Sequence, residues 1–271
     1  MRKFRRRRSA RADLQHFQVL TRRYFKQIFI NPAIFLPLLL QAPVLVFILY
    51  IAGDADAFVR QSVGQANIML FMLTIMSALM GILNSYREIC KEREILAREI
   101  FGGLNSSSYV LSKCFVLLVI GAVECAMLFG GSLLFVDYCF TDPATGYLFA
   151  YLALTLVNFS VAALGLFISA LLKKSESAIL PVLLVIIFQV VFSDCIITLG
   201  EGTDLLRYVT PVAWGISVFA NACGINGWNE HFTKEMYGYS PLIGLGALLL
   251  FALIFIFLTC AKLRHEFRQK D

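Results

Sequence analysis

Chemistry in this chain of 271 residues would have to start from few groups. Glu124 stands near the middle of a long apolar run, where an ionisable side chain costs on the order of 3 kcal/mol and is a functional candidate by default. No second carboxylate or basic residue shares its depth, so a protonated Glu124 hydrogen-bonded to Asn158 or Gln189 is the favoured, structural reading. Asp194, Glu201 and Asp204 are dispersed, and His16, His231 and His265 all lie outside the apolar runs. A membrane-embedded lipid-modifying enzyme needs a convergent acid, base or metal set, and this inventory does not offer one. The seven cysteines form no CxxC pair and no metal-ligand spacing, so no metal site is expected. Cys139, Cys195 and Cys223 fall on the outer side and permit one disulfide; spacing does not choose the pair, and unpaired thiols are favoured. A P-loop needs GxxxxGK[ST] to cradle phosphates, and no glycine here precedes a lysine. Any energy from ATP would therefore have to come from another polypeptide or domain, and no cofactor is expected in this one.

The densest run of charge is residues 87–113, REICKEREILAREIFGGLNSSSYVLSK. Opposite charges three or four apart, as in Glu88–Lys91 and Glu94–Arg98, each support a helix by a few tenths of a kcal/mol. Ile89, Leu96 and Ile100 share one face, so the helix is amphipathic. Gly102–Gly103 stop it and residues 105–108 turn into the next apolar run. Such a helix at a membrane surface can receive force from a soluble partner; a solvated connecting loop is the alternative.

The elements that position these groups are membrane helices. The chain is 59% hydrophobic and 15% charged, well below the quarter usual for soluble domains. With a net charge of +6, anionic lipid rather than nucleic acid is the expected partner. Residues 2–8 are a basic block, and Leu14, Phe17, Leu20, Tyr24 and Ile28 recur at helical spacing, predicting a basic segment and interfacial helix over 1–31. Six runs suit spans: 33–52, 67–86, 112–136, 147–172, 178–199 and 242–260. Lys113, at the start of the third, is placed to snorkel to the interface. Basic residues crowd one side of this pattern, and only Arg60, Arg207 and Lys234 fall on the other, so both termini and the charged helix are expected in the cytoplasm. Residues 200–241 contain an apolar stretch too short and broken to span. It reads as an outer re-entrant or interfacial helix pair, with a plain outer loop as the alternative. The expectation is one all-α membrane domain over 1–271.

The run from Glu92 to Lys113 resembles the signature of ABC-2 type exporter permeases. The likeness is greatest to the G (white/pigment) subfamily, carried by Glu92-Arg93, Arg98-Glu99, Gly103 and Tyr109 to Lys113. Thr210-Pro211 with Trp214-Gly215 is similar to that family's outer Ser/Thr-Pro motif. The resemblance implies a dimeric permease in the plasma membrane, docked to a nucleotide-binding ATPase subunit or domain through Glu92, Arg93, Arg98 and Glu99. It places a substrate path between the second and fifth spans of two protomers: Leu73, Met76, Ser77 and Met80 on one, Ile187 and Val190 on the other. Cys195 and Ile196 would stand near an outer gate. G-subfamily chains usually carry an ATPase ahead of the membrane part, so here it is expected as a separate chain or a missing fused domain. The lack of Asn-x-Ser/Thr sites in the outer segments fits a bacterial protein. A non-transporting receptor or anchor with the same fold is a further rival, and nothing in the residues selects a substrate.

Overall fold

The computed structural model describes residues 13–174, 176–195, 204–229 and 232–268. Its regular elements are all helices, with no strand among the described residues. Asp13 starts α1 (Leu14–Ile30) by accepting the Gln15 amide at 3.0 Å. Leu20, Tyr24 and Ile28 turn inward against protein, while Leu14 stays exposed. Asn31 closes α1 and opens α2 (Pro32–Ala52), its side chain accepting the Ala33 amide at 3.1 Å.

Among the described residues five helices are long and apolar enough to cross a membrane: α2, α3 (Val63–Ser85), α5 (Ser106–Ser132), α6 (Pro143–Leu171) and α9 (Pro241–Arg268). Even α2, the shortest at 21 residues, reaches about 31 Å, enough for a hydrocarbon core. The predicted fifth run, 178–199, differs. Its helix α7 (Ile179–Val191) has 13 residues, about 20 Å of rise. Asp194, at φ 54°, turns the backbone out of any continuing helix.

The bundle is organised on α3 and α6, which pack along each other and against α8 (Pro211–Cys223). Their approach depends on small residues. A Cβ at Gly81 would overlap the Asn158 carbonyl, and one at Gly121 would overlap the Asn158 side chain. Close backbone packing of this kind replaces the hydrophobic drive that lipid removes. Every residue of α8 except Asn221 is buried, among α3, α6 and α9. The apolar stretch predicted to lie in the outer segment is thus inserted into the bundle. By contrast α2 and α9 present Phe47, Ile51, Leu250 and Phe257 outward, surfaces suited to lipid.

Candidate functional site

The charged stretch folds as two pieces. The Ser169 hydroxyl of α6 accepts the amides of Ile89 and Cys90, 3.0 Å each, so neither joins a continuing helical ladder. A single 3-10 turn (Cys90–Glu92) follows, then α4 (Arg93–Phe101). Gly102 and Gly103 end α4, and Gly103 at φ 104° occupies backbone space that a side chain would resist. Asn105 accepts the Ser107 amide at 2.9 Å and starts α5 at Ser106, six residues before the predicted span.

The underside of α4 is a small core of its own. Leu96 and Ile100 are buried with Ile89 against Leu20 of α1, Tyr109 of α5 and Leu263 and Phe267 of α9. Each of the two α4 side chains contributes about 1.5–3 kcal/mol by leaving water. The three apolar residues expected to share a helix face enter one core, but only Leu96 and Ile100 do so from α4; Ile89 lies before the 3-10 turn.

Beside this core lies a cluster of buried charge. Lys113 is 3% exposed, its ammonium 3.0 Å from Glu88 and 2.9 Å from Glu92. It does not snorkel outward as expected, because the two carboxylates hold it and the Tyr24 ring lies 3.6 Å beneath its nitrogen. Glu88 also accepts from Tyr24 and Lys91, and Glu92 accepts from the Tyr109 hydroxyl at 2.9 Å. Burial and the adjacent Glu88 push the Tyr24 phenol well above its ordinary pKa, which keeps it a donor. Among the described residues the Glu94–Arg98 pair expected from spacing does not close; Glu88–Lys91 does.

Three of the four residues expected to meet an ATPase are occupied inside the protein. Glu92 belongs to the cluster. Arg93 pairs with Glu266 of α9 and donates to the Leu172 carbonyl at 2.6 Å. Glu99 receives Arg23 of α1 through two contacts, 2.5 and 3.2 Å. Arg98 alone is exposed, and with Glu94, Ile95 and Phe101 it makes the outward face of α4. Glu88, Lys113 and Tyr24 were each noted from sequence in other roles, but their meeting in one cluster was not, and Ser169 and Glu266 were not singled out at all. Only the spacing of Glu88 and Glu92 gave a hint of the cluster.

The proposed path residues separate. Leu73, Met76, Ser77 and Met80 sit in the interior of the bundle, where Ser77 donates to the Leu154 carbonyl at 2.6 Å. They line no free surface in this conformation, because the buried side of α3 is the one facing α6 and α8. Ile187 is exposed and Val190 half-buried on α7. Cys195 donates to the Asn67 carbonyl at 3.1 Å, and Ile196 lies outside the described residues. Cys139, Cys195 and Cys223 are all free thiols. Glu124 is fully buried, and its partner is Asn84 of α3, at 3.0 and 2.8 Å, rather than Asn158 or Gln189. Asn158 instead donates to the Ser77 carbonyl, and Gln189 accepts the Val212 amide at 3.3 Å, tying α7 to the start of α8. Among the described residues no group of three metal-ligating side chains converges.

Apolar helices long enough to cross a bilayer, around a buried shorter helix and above a clasped charged one, define an integral membrane protein. The chain belongs to the ABC-2 type transporter family, whose membrane-domain model matches residues 15–223. Over 163 residues it is 31% identical to the ABC transporter ATP-binding/permease protein Rv1747 of Mycobacterium tuberculosis. That match covers 56% of this chain and 18% of the relative, so the chain spans less than a fifth of that protein's length.

Proposed function

We propose that the chain is the membrane-spanning permease subunit of an ATP-driven exporter, acting as a dimer with a nucleotide-binding partner that supplies ATP and Mg. The observation that carries this reading is the state of α4. Its inner side is fixed by apolar packing and buried ion pairs, and Glu94, Ile95, Arg98 and Phe101 are left facing out. A rigid helix with a mixed charged and apolar outer face is suited to docking a moving soluble domain.

In this reading α7 belongs to the fifth of six crossings, so both termini and α4 share the cytoplasmic side, as the basic residues require. The helix α1 lies at that interface, and α8 is the outer re-entrant element. The likeness to the G subfamily supplies the mechanism. Closure of the partners pushes α4, tilts α3 and α7, and opens an outward path. Leu73, Met76, Ser77 and Met80 line that path once α3 parts from α6 and α8, with Ile187 and Val190 opposite and Cys195 and Ile196 at the outer gate.

Co-purification with the cognate ATPase tests this. ATP turnover that rises when the two are combined in vesicles, and falls with Arg98→Glu, is the expected result. Turnover indifferent to this chain would remove the proposal.

A further inference from the structure

A cavity of about 540 Å³ opens between α1, α2, α3 and α5, on the α4 side of the bundle. Aliphatic side chains form most of its wall, among them Ile34, Leu38, Leu45, Leu83 and Leu117. One end is polar, where Gln27 of α1 and Lys91 stand. The same two residues also line a second cavity of about 390 Å³, walled by Arg23, Glu92, Glu99 and Tyr109. The two spaces therefore adjoin: one apolar and open to the lipid-facing flank of α2, the other rich in charge and beside α4. Gln41 lines the apolar space, and its side-chain nitrogen is buried with no hydrogen-bond acceptor among the described residues. A buried donor left without an acceptor is costly, so this position calls for one from a bound molecule.

We infer that this pair of cavities holds a diacyl glycerophospholipid from the leaflet that borders α1. The polarity of the two spaces fits such a molecule. Acyl chain fills the aliphatic cavity, an ester carbonyl accepts from Gln41, and the phosphate lies between Lys91 and Arg23. Both cations already face carboxylates, Glu88 and Glu99, so the phosphate adds to a network of alternating charge rather than meeting a bare positive patch. A headgroup amine has Glu92 and Glu99 within the same space. The lipid would wedge α1 against α2 and α3. Nothing in this assignment depends on transport or on the ATPase.

The test uses the full chain, purified and reconstituted in vesicles of phosphatidylethanolamine and phosphatidylglycerol carrying a trace of a photoactivatable diacyl phospholipid. Mass spectrometry then compares cross-links on α2 and α3 peptides of the cavity with those on the lipid-facing surface of α9. Preferential labelling of the cavity is expected. Leu83→Trp, which fills it from an exposed position, should abolish that preference while α9 labelling stays unchanged. Gln41→Leu keeps the shape and removes the donor, and should weaken cavity labelling by about three- to tenfold. Cavity labelling no stronger than that of α9, or insensitive to both variants, would overturn the assignment. So would competition by soluble glycerophosphate as effective as by the diacyl lipid, which would mark a site for a free phosphate compound.

Discussion

Lys113 and Glu92 meet at 2.9 Å, although one stands in the first turns of α5 and the other immediately before α4. The contact joins the two ends of the turn that runs through α4, and Glu88 completes it from the other side at 3.0 Å. Removing one member of a buried ion group leaves the rest uncompensated, which costs more than the intact group contributes. Lys113→Met should therefore lower stability by about 3–5 kcal/mol. The shift is measurable as the unfolding midpoint of the purified protein in detergent. A change within experimental scatter would show that the cluster is solvated.

Arg93 and Arg98 are five residues apart and should behave oppositely. Arg98 is exposed, so Arg98→Glu should alter stability by no more than about 0.5 kcal/mol. Its effect should appear in ATPase association, measured by pull-down. Arg93→Ala breaks the Glu266 pair and the Leu172 bond, and should destabilise by about 1.5–3 kcal/mol before any partner is added. Equal behaviour of the two variants would contradict this division of α4 into inner and outer faces.

Glu124 offers a clean contrast between two roles. Glu124→Gln keeps an acceptor for Asn84 and should stay within about 1 kcal/mol of the parent. Glu124→Ala leaves the Asn84 amide without its partner and should cost about 1–3 kcal/mol. Thermal unfolding of both variants, with transport measured alongside, distinguishes the roles: full transport by Glu124→Gln marks a hydrogen-bonding residue, and its loss at unchanged stability marks a titrating one.

Gly81→Ala tests the helix contact. The added methyl would meet the Asn158 backbone, which has no flexible end to yield, so a loss of about 1–3 kcal/mol is expected. Gly130→Ala, where nothing lies within reach of a Cβ, serves as the control. Size-exclusion profiles after heating would rank the two.

Orientation is checked with an impermeant maleimide after the exposed Cys139 is replaced by Ser. Arg60→Cys should react on intact cells and Arg98→Cys only in inverted vesicles. The reverse pattern would invert the topology drawn from the basic residues.

Long apolar runs made the membrane helices legible, because hydropathy over some twenty residues is a signal no soluble element imitates. Over the 178–199 run hydropathy continues beyond Val191 while α7 ends there, and Asp194 carries a turn that hydropathy does not register. Periodicity picked out Ile89, Leu96 and Ile100 as buried together, though not the break that leaves Ile89 outside α4. It could not show that Arg93 would reach Glu266, 173 positions away, or that Lys113 would turn inward, since such pairs are made by tertiary packing. The partner of Glu124 was missed because Asn84 sits near the end of its run, and depth cannot be read from one helix alone.

Arg23 and Glu266 belong to the first and last helices described, and both fasten onto α4. The polypeptide is in effect buckled at its base, much as a strap returns to its own clasp. A displacement imposed on α4 is therefore passed to α1 and α9 through these two ion pairs.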